Sequence, residues 1–222
     1  MIKSKSNYAL YCAILFFLLF VFWTLTVCFI DVKAIGPQDS VVGLSTLNGL
    51  VHNLFGVNML LYEITDWLGL VPIACCLGFA IMGLVQWIIR KNVLKVDFNI
   101  LVLGGYYIVV IIAYLFFEHN VINYRPILIN GYLEASYPSS TTMLVLCVMP
   151  TTLMQFDLRI KNKSLSLIVK IAIIAFILFM VLGRLVSGVH WLSDIVGGLL
   201  LSAGLVSIYH FIIKKFEIGL DI

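Results

Sequence analysis

The sequence predicts an all-α integral membrane protein of six transmembrane helices with both termini in the cytoplasm. Three observations carry this. The 222 residues are 62% hydrophobic and only 11% charged, against about 25% charged in a soluble domain. The apolar residues gather in blocks of about 20, the length a helix needs to cross a bilayer. The basic residues alternate with those blocks. Lys3, Lys5, Arg90, Lys91, Lys95, Arg159, Lys161, Lys163, Lys170, Lys214 and Lys215 fall on one side, leaving Lys33, Arg125 and Arg184 on the other. An excess of Lys and Arg marks the cytoplasmic side. The net charge of +3 then follows topology and is not a nucleic-acid signal. The whole chain, 1–222, reads as a single six-span domain.

Taken in order, Lys3 and Lys5 precede an apolar run from Tyr8 to Ile30. It is longer than the 7–15-residue core of a signal peptide, so it reads as a retained first span. Residues 31–66 form a long extracytoplasmic connection in which Leu47 to Leu61 suits short interfacial helices. His52 there reads as a surface or packing residue. The second span is Trp67 to Ile89 and the third is Phe98 to Phe117, with Gly104, Gly105, Tyr106 and Tyr107 expected at helix contacts. Glu118 to Ser140 is a polar loop. The fourth span, Thr141 to about Phe156, is the shortest, and Pro150 is expected to kink it. Leu165 to Leu182 is the fifth. Trp191 to Ile213 is the sixth, where Gly197, Gly198, Ser202, Ala203 and Ser207 suit close packing. Cys12, Cys28, Cys75, Cys76 and Cys147 lie in or beside apolar segments without a Cys-x-x-Cys pair, and read as buried thiols.

The chemistry concentrates between the fifth and sixth spans, in Gly183-Arg-Leu-Val-Ser-Gly-Val-His-Trp-Leu-Ser-Asp194. Ionisable residues at membrane depth are functional candidates. His190 and Asp194 are four apart, so a helix beginning at Trp191 projects both from one face. A carboxylate beside an imidazole fixes its tautomer and frees the other nitrogen to attack or to take a proton. Arg184 offers a planar fork suited to phosphate or carboxylate. The same stretch also suits a structural Arg–Asp pair with a capping His. Topology places the loop holding Arg125, Ser139 and Thr141 on the same outer face, with Glu118 and His119 nearby. Two guanidiniums, hydroxyls and a helix start make an anion site. No metal cluster or other cofactor site is expected, so the arginines must supply the charge stabilisation. A phosphate ester fits this set better than an acyl substrate, because nothing resembles an activated serine.

The pattern resembles the type 2 phosphatidic acid phosphatase superfamily, whose motifs are Lys-x6-Arg-Pro, Pro-Ser-Gly-His and Ser-Arg-x5-His-x3-Asp. Here they stand as Glu118-x6-Arg125-Pro126, Pro138-Ser139-Ser140-Thr141 and Gly183-Arg184-x5-His190-x3-Asp194. The motif region covers 118–194, and the six-span layout extends the resemblance along the chain. The resemblance implies a multi-pass cell-membrane phosphatase acting on a phosphorylated lipid at the extracytoplasmic face. It implies that His190 is the nucleophile that forms a phosphohistidine and that Asp194 orients it. Arg125, Arg184 and Ser139 would hold the phosphoryl oxygens, with Thr141 beside them.

The departures carry their own expectations. Glu118 stands where the family has a phosphate-binding Lys, Thr141 where it has the His that protonates the leaving group, Ser140 for a Gly and Gly183 for a Ser. A threonine hydroxyl is too weak an acid for the role at 141. A diphosphate needs that proton least, because its leaving group is a phosphate monoester. The expected substrate is therefore a lipid phosphate, with a polyprenyl diphosphate preferred over phosphatidate. The alternatives are a lipid phosphotransferase, a catalytically weak relative that binds phosphorylated headgroups, and a transporter. The last would want ionisable groups near mid-bilayer, and the first three spans hold none.

Overall fold

Long apolar blocks become long helices, and polar caps and turn residues separate them. The computed structural model describes the backbone of residues 2–220 and the side chains of residues 7–215. The basic side chains of Lys3 and Lys5 lie outside the described residues. The helices are α1 (Ile2–Phe29), α2 (Ser45–Phe55), α3 (Met59–Leu68), α4 (Leu70–Arg90), α5 (Phe98–His119), α6 (Ser140–Asp157), α7 (Lys163–Val186) and α8 (Leu192–Leu220). A short antiparallel ribbon, β1 (Lys33–Ala34) with β2 (Val41–Val42), leads into α2. Asparagine caps set two helix starts: Asn58 Oδ1 accepts from Leu61 N, and Asn162 Oδ1 from Ser164 N and Leu165 N.

Among the described residues, five segments are long and apolar enough to cross a membrane: Asn7–Phe29, Met59–Arg90, Phe98–His119, Lys163–Val186 and Leu192–Lys215. The second begins a helix earlier than the sequence reading placed it, because α3 and α4 follow one another with only Gly69 between them. Helix α6, the expected fourth span, is not among the five. Its threonines and Gln155 lower its hydropathy, and the structure shows where they go. Half of α6 is buried inside the bundle. There Thr151 Oγ1 bonds the carbonyls of Cys147 and Val148 (both 2.9 Å), and Gln155 bonds Tyr209. A helix that faces protein can carry polar groups that a lipid-facing helix cannot. The helix runs unbroken through Pro150.

Helix α8 is the hub. It packs on α1, α6, α5, α2 and α7. Its small residues let neighbours close in, as their spacing predicted: a Cβ at Gly197 would lie 2.6 Å from the Tyr137 ring, and one at Gly198 3.3 Å from Ser139 O. Gly104 and Gly105 do not behave this way. Nothing lies within 4 Å of a Cβ built on either, and both border an open apolar cleft of about 420 Å³ beside Tyr107. Tyr106 is buried and does make helix contacts, with its ring 5.1 Å from that of Tyr209.

Helix α1 runs antiparallel to α8. Trp23 Nε1 donates to Ser193 O (3.0 Å), and Phe17 sits against Gly204. Both therefore extend away from the end of the bundle that holds His190. At that end the connection between α2 and α3 lies on the turn between α7 and α8. Asn58 N donates to Ser187 O (3.0 Å), and Gly188, at φ +69°, leaves no room for a Cβ, which would fall 1.9 Å from Gly56 O.

Gly188→Ala should therefore cost more than the about 1–2 kcal/mol of a left-handed alanine, because overpacking adds about 1–3 kcal/mol. Gly131, at φ +83° with open space around it, should show only the first cost on substitution by alanine. Thermal unfolding of both variants in detergent checks this, and equal losses would mean that the close approach to Gly56 is not rigid.

Candidate active site

Four elements converge on His190. It lies in the turn after α7, three residues past Ser187, with Asp194 in the first turn of α8. Trp191 N donates to Asp194 Oδ2 (2.9 Å) and Asp194 N to Trp191 O (3.1 Å). Asp194 is thus the acidic half of a capping box as well as a neighbour of the histidine. The two side chains stand beside one another, joined through a third group. His190 Nδ1 lies 3.8 Å from Asp194 Oδ2, and the Ser136 hydroxyl stands between them, 3.0 Å from Nδ1 and hydrogen-bonded to Oδ2. The loop before α6 supplies Ser136. The same loop ties itself to α8 through Ser139 N and Asp194 O (3.0 Å).

Asp194 is wholly buried, and burial of a carboxylate is tolerable only with donors around it. Asn123 Nδ2 and Ser193 Oγ both reach Oδ1 at 3.3 Å. Ser193 Oγ in turn accepts from Asn48 Nδ2 (2.9 Å) on α2. Sequence reasoning missed Ser136, Asn123, Asn48 and Ser193. The pair Asn48 and His52, four apart on α2, carried a usable signal, since both face the start of α8: Asn48 bonds Ser193, and the His52 ring lies 5.4 Å from that of Trp191.

The two arginines flank Tyr62 of α3, whose ring centre is 4.9 Å from the Arg184 guanidinium and 6.0 Å from that of Arg125. Arg184 is 1% exposed, with Asp66 Oδ1 and Thr65 Oγ1 each 3.4 Å from its Nη1. Arg125 Nε lies 3.0 Å from Glu134 Oε2 but is not aligned to donate to it. The Asp66 and Glu134 side chains are 57% and 41% exposed. The cations are therefore buried and their counter-charges sit in the rim. Both arginines act on His190. Burial first, then the charges of Arg125 and Arg184, hold its imidazole well below the usual histidine range.

Five buried polar atoms in this group have no hydrogen-bond partner: Arg125 Nε and Nη1, Arg184 Nε, Ser139 Oγ and His190 Nε2. Buried polar groups are normally satisfied. The arginine nitrogens and the hydroxyl are donors beside two cations, the complement of a bound oxyanion, and the ring nitrogen is a buried group of its own. Thr141 stands at the edge of the group. Its methyl faces Gly69, three residues beyond Asp66, and the residue lines an apolar cleft of about 320 Å³ with Ile73, Val110, Ile111 and Tyr114. Glu118 and His119 are exposed in the last turn of α5.

Comparison with known proteins supplies the family. The model of the PAP2 superfamily matches residues 94–217. The chain belongs to the PAP2 superfamily. No curated protein sequence matches it. A solved structure, the first transmembrane PAP2-type phosphatidylglycerolphosphate phosphatase from Bacillus subtilis, aligns over 95% of this chain and 96% of its own, at 19% identity and a TM-score of 0.57. That likeness shows a shared membrane PAP2 fold. The family match spans Arg125, Ser139, Arg184, His190 and Asp194, and so covers the residues that the structure gathers.

A depressed histidine pKa means that the folded protein resists protonation. His190 should stay neutral through pH 6.5, where an ordinary histidine is half charged. Because the unfolded chain takes up that proton first, this residue should make the fold less stable as pH falls below about 6.5. A ¹⁵N titration of the labelled imidazole, with His190→Asn to assign it, checks the first point. A midpoint at or above 6.5 would contradict the burial argument.

Proposed function

We propose that this PAP2 protein is a lipid phosphatase that works at the extracytoplasmic face through a phosphohistidine on His190. The observation that supports it most is the group of unpartnered buried atoms, because one phosphoryl group would satisfy them together. Arg125, Arg184 and Ser139 take the phosphoryl oxygens, and guanidinium forks match that geometry. His190 Nε2, neutral and without a partner, attacks phosphorus. Asp194 stabilises the imidazolium that results. Water then attacks the phosphohistidine and releases phosphate. No bound metal is needed in this scheme, since two fixed cations already stand where charge develops.

The lipid lies along the apolar cleft at Thr141, which places the leaving oxygen on the side where the family pattern has its acid and this chain has none. General acid catalysis is typically worth about 10²–10⁴-fold. A diphosphate forfeits little of that, because a phosphate monoester departs readily without a proton. The preferred substrate class is therefore a lipid diphosphate, a polyprenyl diphosphate being the natural example. The neighbouring Bacillus subtilis structure is named for a lipid phosphate substrate, which supports the broader class.

The test is phosphate release from a panel holding phosphatidate, phosphatidylglycerol phosphate and a polyprenyl diphosphate. Wild-type protein should release phosphate, fastest from the diphosphate, and His190→Ala should lose at least about 10³-fold, as expected when a covalent nucleophile is removed. Label trapped on the protein should survive an alkaline quench and be lost in acid. Normal activity in His190→Ala would overturn the mechanism. Phosphatidate as the fastest substrate would overturn only the diphosphate preference.

The proposed topology has six spans, with α6 as the interior one, and both termini in the cytoplasm. Its support is that the basic turns after α4 and α6 share one end of the bundle, where Arg159 lies close enough to act on the Asp97 carboxylate. A cysteine at Asn130 should react with an impermeant thiol reagent in intact cells, and one at Asn162 should not. The reverse pattern would put the site in the cytoplasm.

A further inference from the structure

We propose that Ser136 is a positioning residue for His190, a hydroxyl relay through which Asp194 acts on the imidazole without touching it. The inference rests on the phosphohistidine reading and adds a group outside the three motifs.

With Asp194 ionised, the proton directions in the cluster follow. Trp191 N and Asn123 Nδ2 can only donate to the carboxylate, and the Ser193 and Ser136 hydroxyls, which can donate or accept, turn their hydrogens to it as well. The Ser193 hydroxyl accepts from Asn48 Nδ2 at 2.9 Å, so its own hydrogen is free for Oδ1. Ser136 has one hydrogen, and it goes to Asp194 Oδ2. Its oxygen must then accept from His190 at 3.0 Å, which requires the proton on Nδ1. That leaves a lone pair on Nε2, the buried ring nitrogen without a partner. Ser136 is 2% exposed, so water does not compete for these bonds. The geometry thus selects one tautomer of the two, and it leaves the lone pair on the buried ring nitrogen that has no partner.

The reaction step balances with this arrangement. Nε2 forms a bond to phosphorus and the bond from phosphorus to the leaving oxygen breaks, with its electron pair departing on that oxygen. The ring becomes cationic and keeps its Nδ1 proton on Ser136 Oγ. The serine keeps its own proton, aimed at Asp194, so the carboxylate stabilises the new charge through one intervening dipole. No proton has to cross from His190 to Asp194. The relay also explains the spacing: at 3.8 Å the carboxylate is too far to bond the ring, yet close enough to hold the hydroxyl that does.

Three measurements test the proposal. In wild-type protein, ¹⁵N shifts should show His190 with Nδ1 protonated and Nε2 not. The opposite tautomer would overturn the relay, and this result rests on the signal assigned by His190→Asn and not on any change in activity. Ser136→Ala should lower kcat by about 10–100-fold, the usual effect of losing a group that orients a reactive imidazole, with KM changed less than about threefold and the tautomer preference lost. A purely structural role would lower stability and leave the tautomer as it was. Finally, if Asp194 acts through Ser136, the kcat losses of Ser136→Ala and Asp194→Asn should not multiply in the double variant. Multiplying losses, or wild-type kcat in Ser136→Ala, would overturn the relay alone. Retained activity in His190→Ala would instead remove the reading beneath it.

Discussion

One buried carboxylate organises this end of the molecule. Asp194 is removed from water altogether, and an uncompensated ion in such a place would cost several kcal/mol even after relaxation, on the order given for real proteins. The fold avoids that cost by bringing four donors to it. They come from separate parts of the chain: the α8 start itself, the loop after α5 (Asn123) and the loop before α6 (Ser136), with Asn48 of α2 steadying Ser193 from behind. Satisfying a single side chain therefore fixes how α2, the 120–139 loop and α8 meet. The same bonds that make the carboxylate tolerable also place a hydroxyl against His190.

Around this anion the fold builds an excess of positive charge. Arg184 and Arg125 are both buried, while their carboxylate partners Asp66 and Glu134 stay in the rim and make long or poorly aligned contacts. Tyr62 between the two guanidiniums offers its face, and a cation over an aromatic ring gains about 0.5–2 kcal/mol, which offsets part of the desolvation. It does so without occupying the N–H groups. Donors left open in a buried site reduce stability, and sites of that kind are where function is met. An oxyanion would meet buried guanidiniums whose carboxylate partners lie partly in solvent.

Much of this was legible in the sequence, and the rest was hidden for physical reasons. The lipid-facing helices announce themselves because bilayer length and apolar composition leave little freedom. Helix α6 is the shortest of the apolar runs, and its hydropathy is weak because Thr142, Thr151, Thr152 and Gln155 face protein. The motif spacing found Arg125, Arg184, His190 and Asp194, since Arg, His and Asp are costly at membrane depth. It could not find Ser136 or Asn123. Serine and asparagine in a polar loop look the same whether they are solvated or wholly buried, and only the tertiary approach of that loop to α8 distinguishes the two. The i,i+4 rule placed Asp194 beside His190, and the ring nitrogen does lie 3.8 Å from the carboxylate. What the rule could not show is the Ser136 hydroxyl that links the two.

In the proposed scheme, Thr141 is where the lipid meets the chemistry. It sits where α6 begins, between the Asp66 side of the arginine site and an apolar cleft walled by α4, α5 and α6. A substrate with its phosphoryl group on the arginines and its chain in that cleft would bring its bridging oxygen toward residue 141. Catalysis there depends on how basic that oxygen becomes as the bond breaks. With an alkoxide the negative charge would build against a threonine methyl and the side chains of Ile73 and Val110, where nothing can neutralise it. With a phosphate as leaving group the charge spreads over several oxygens. Exposed Glu118 and His119 stand at the end of α5, beyond the apolar wall, and do not alter this. The loss of an acid at 141 and the apolar lining of the cleft therefore act in the same direction, both favouring a leaving group that can depart as an anion.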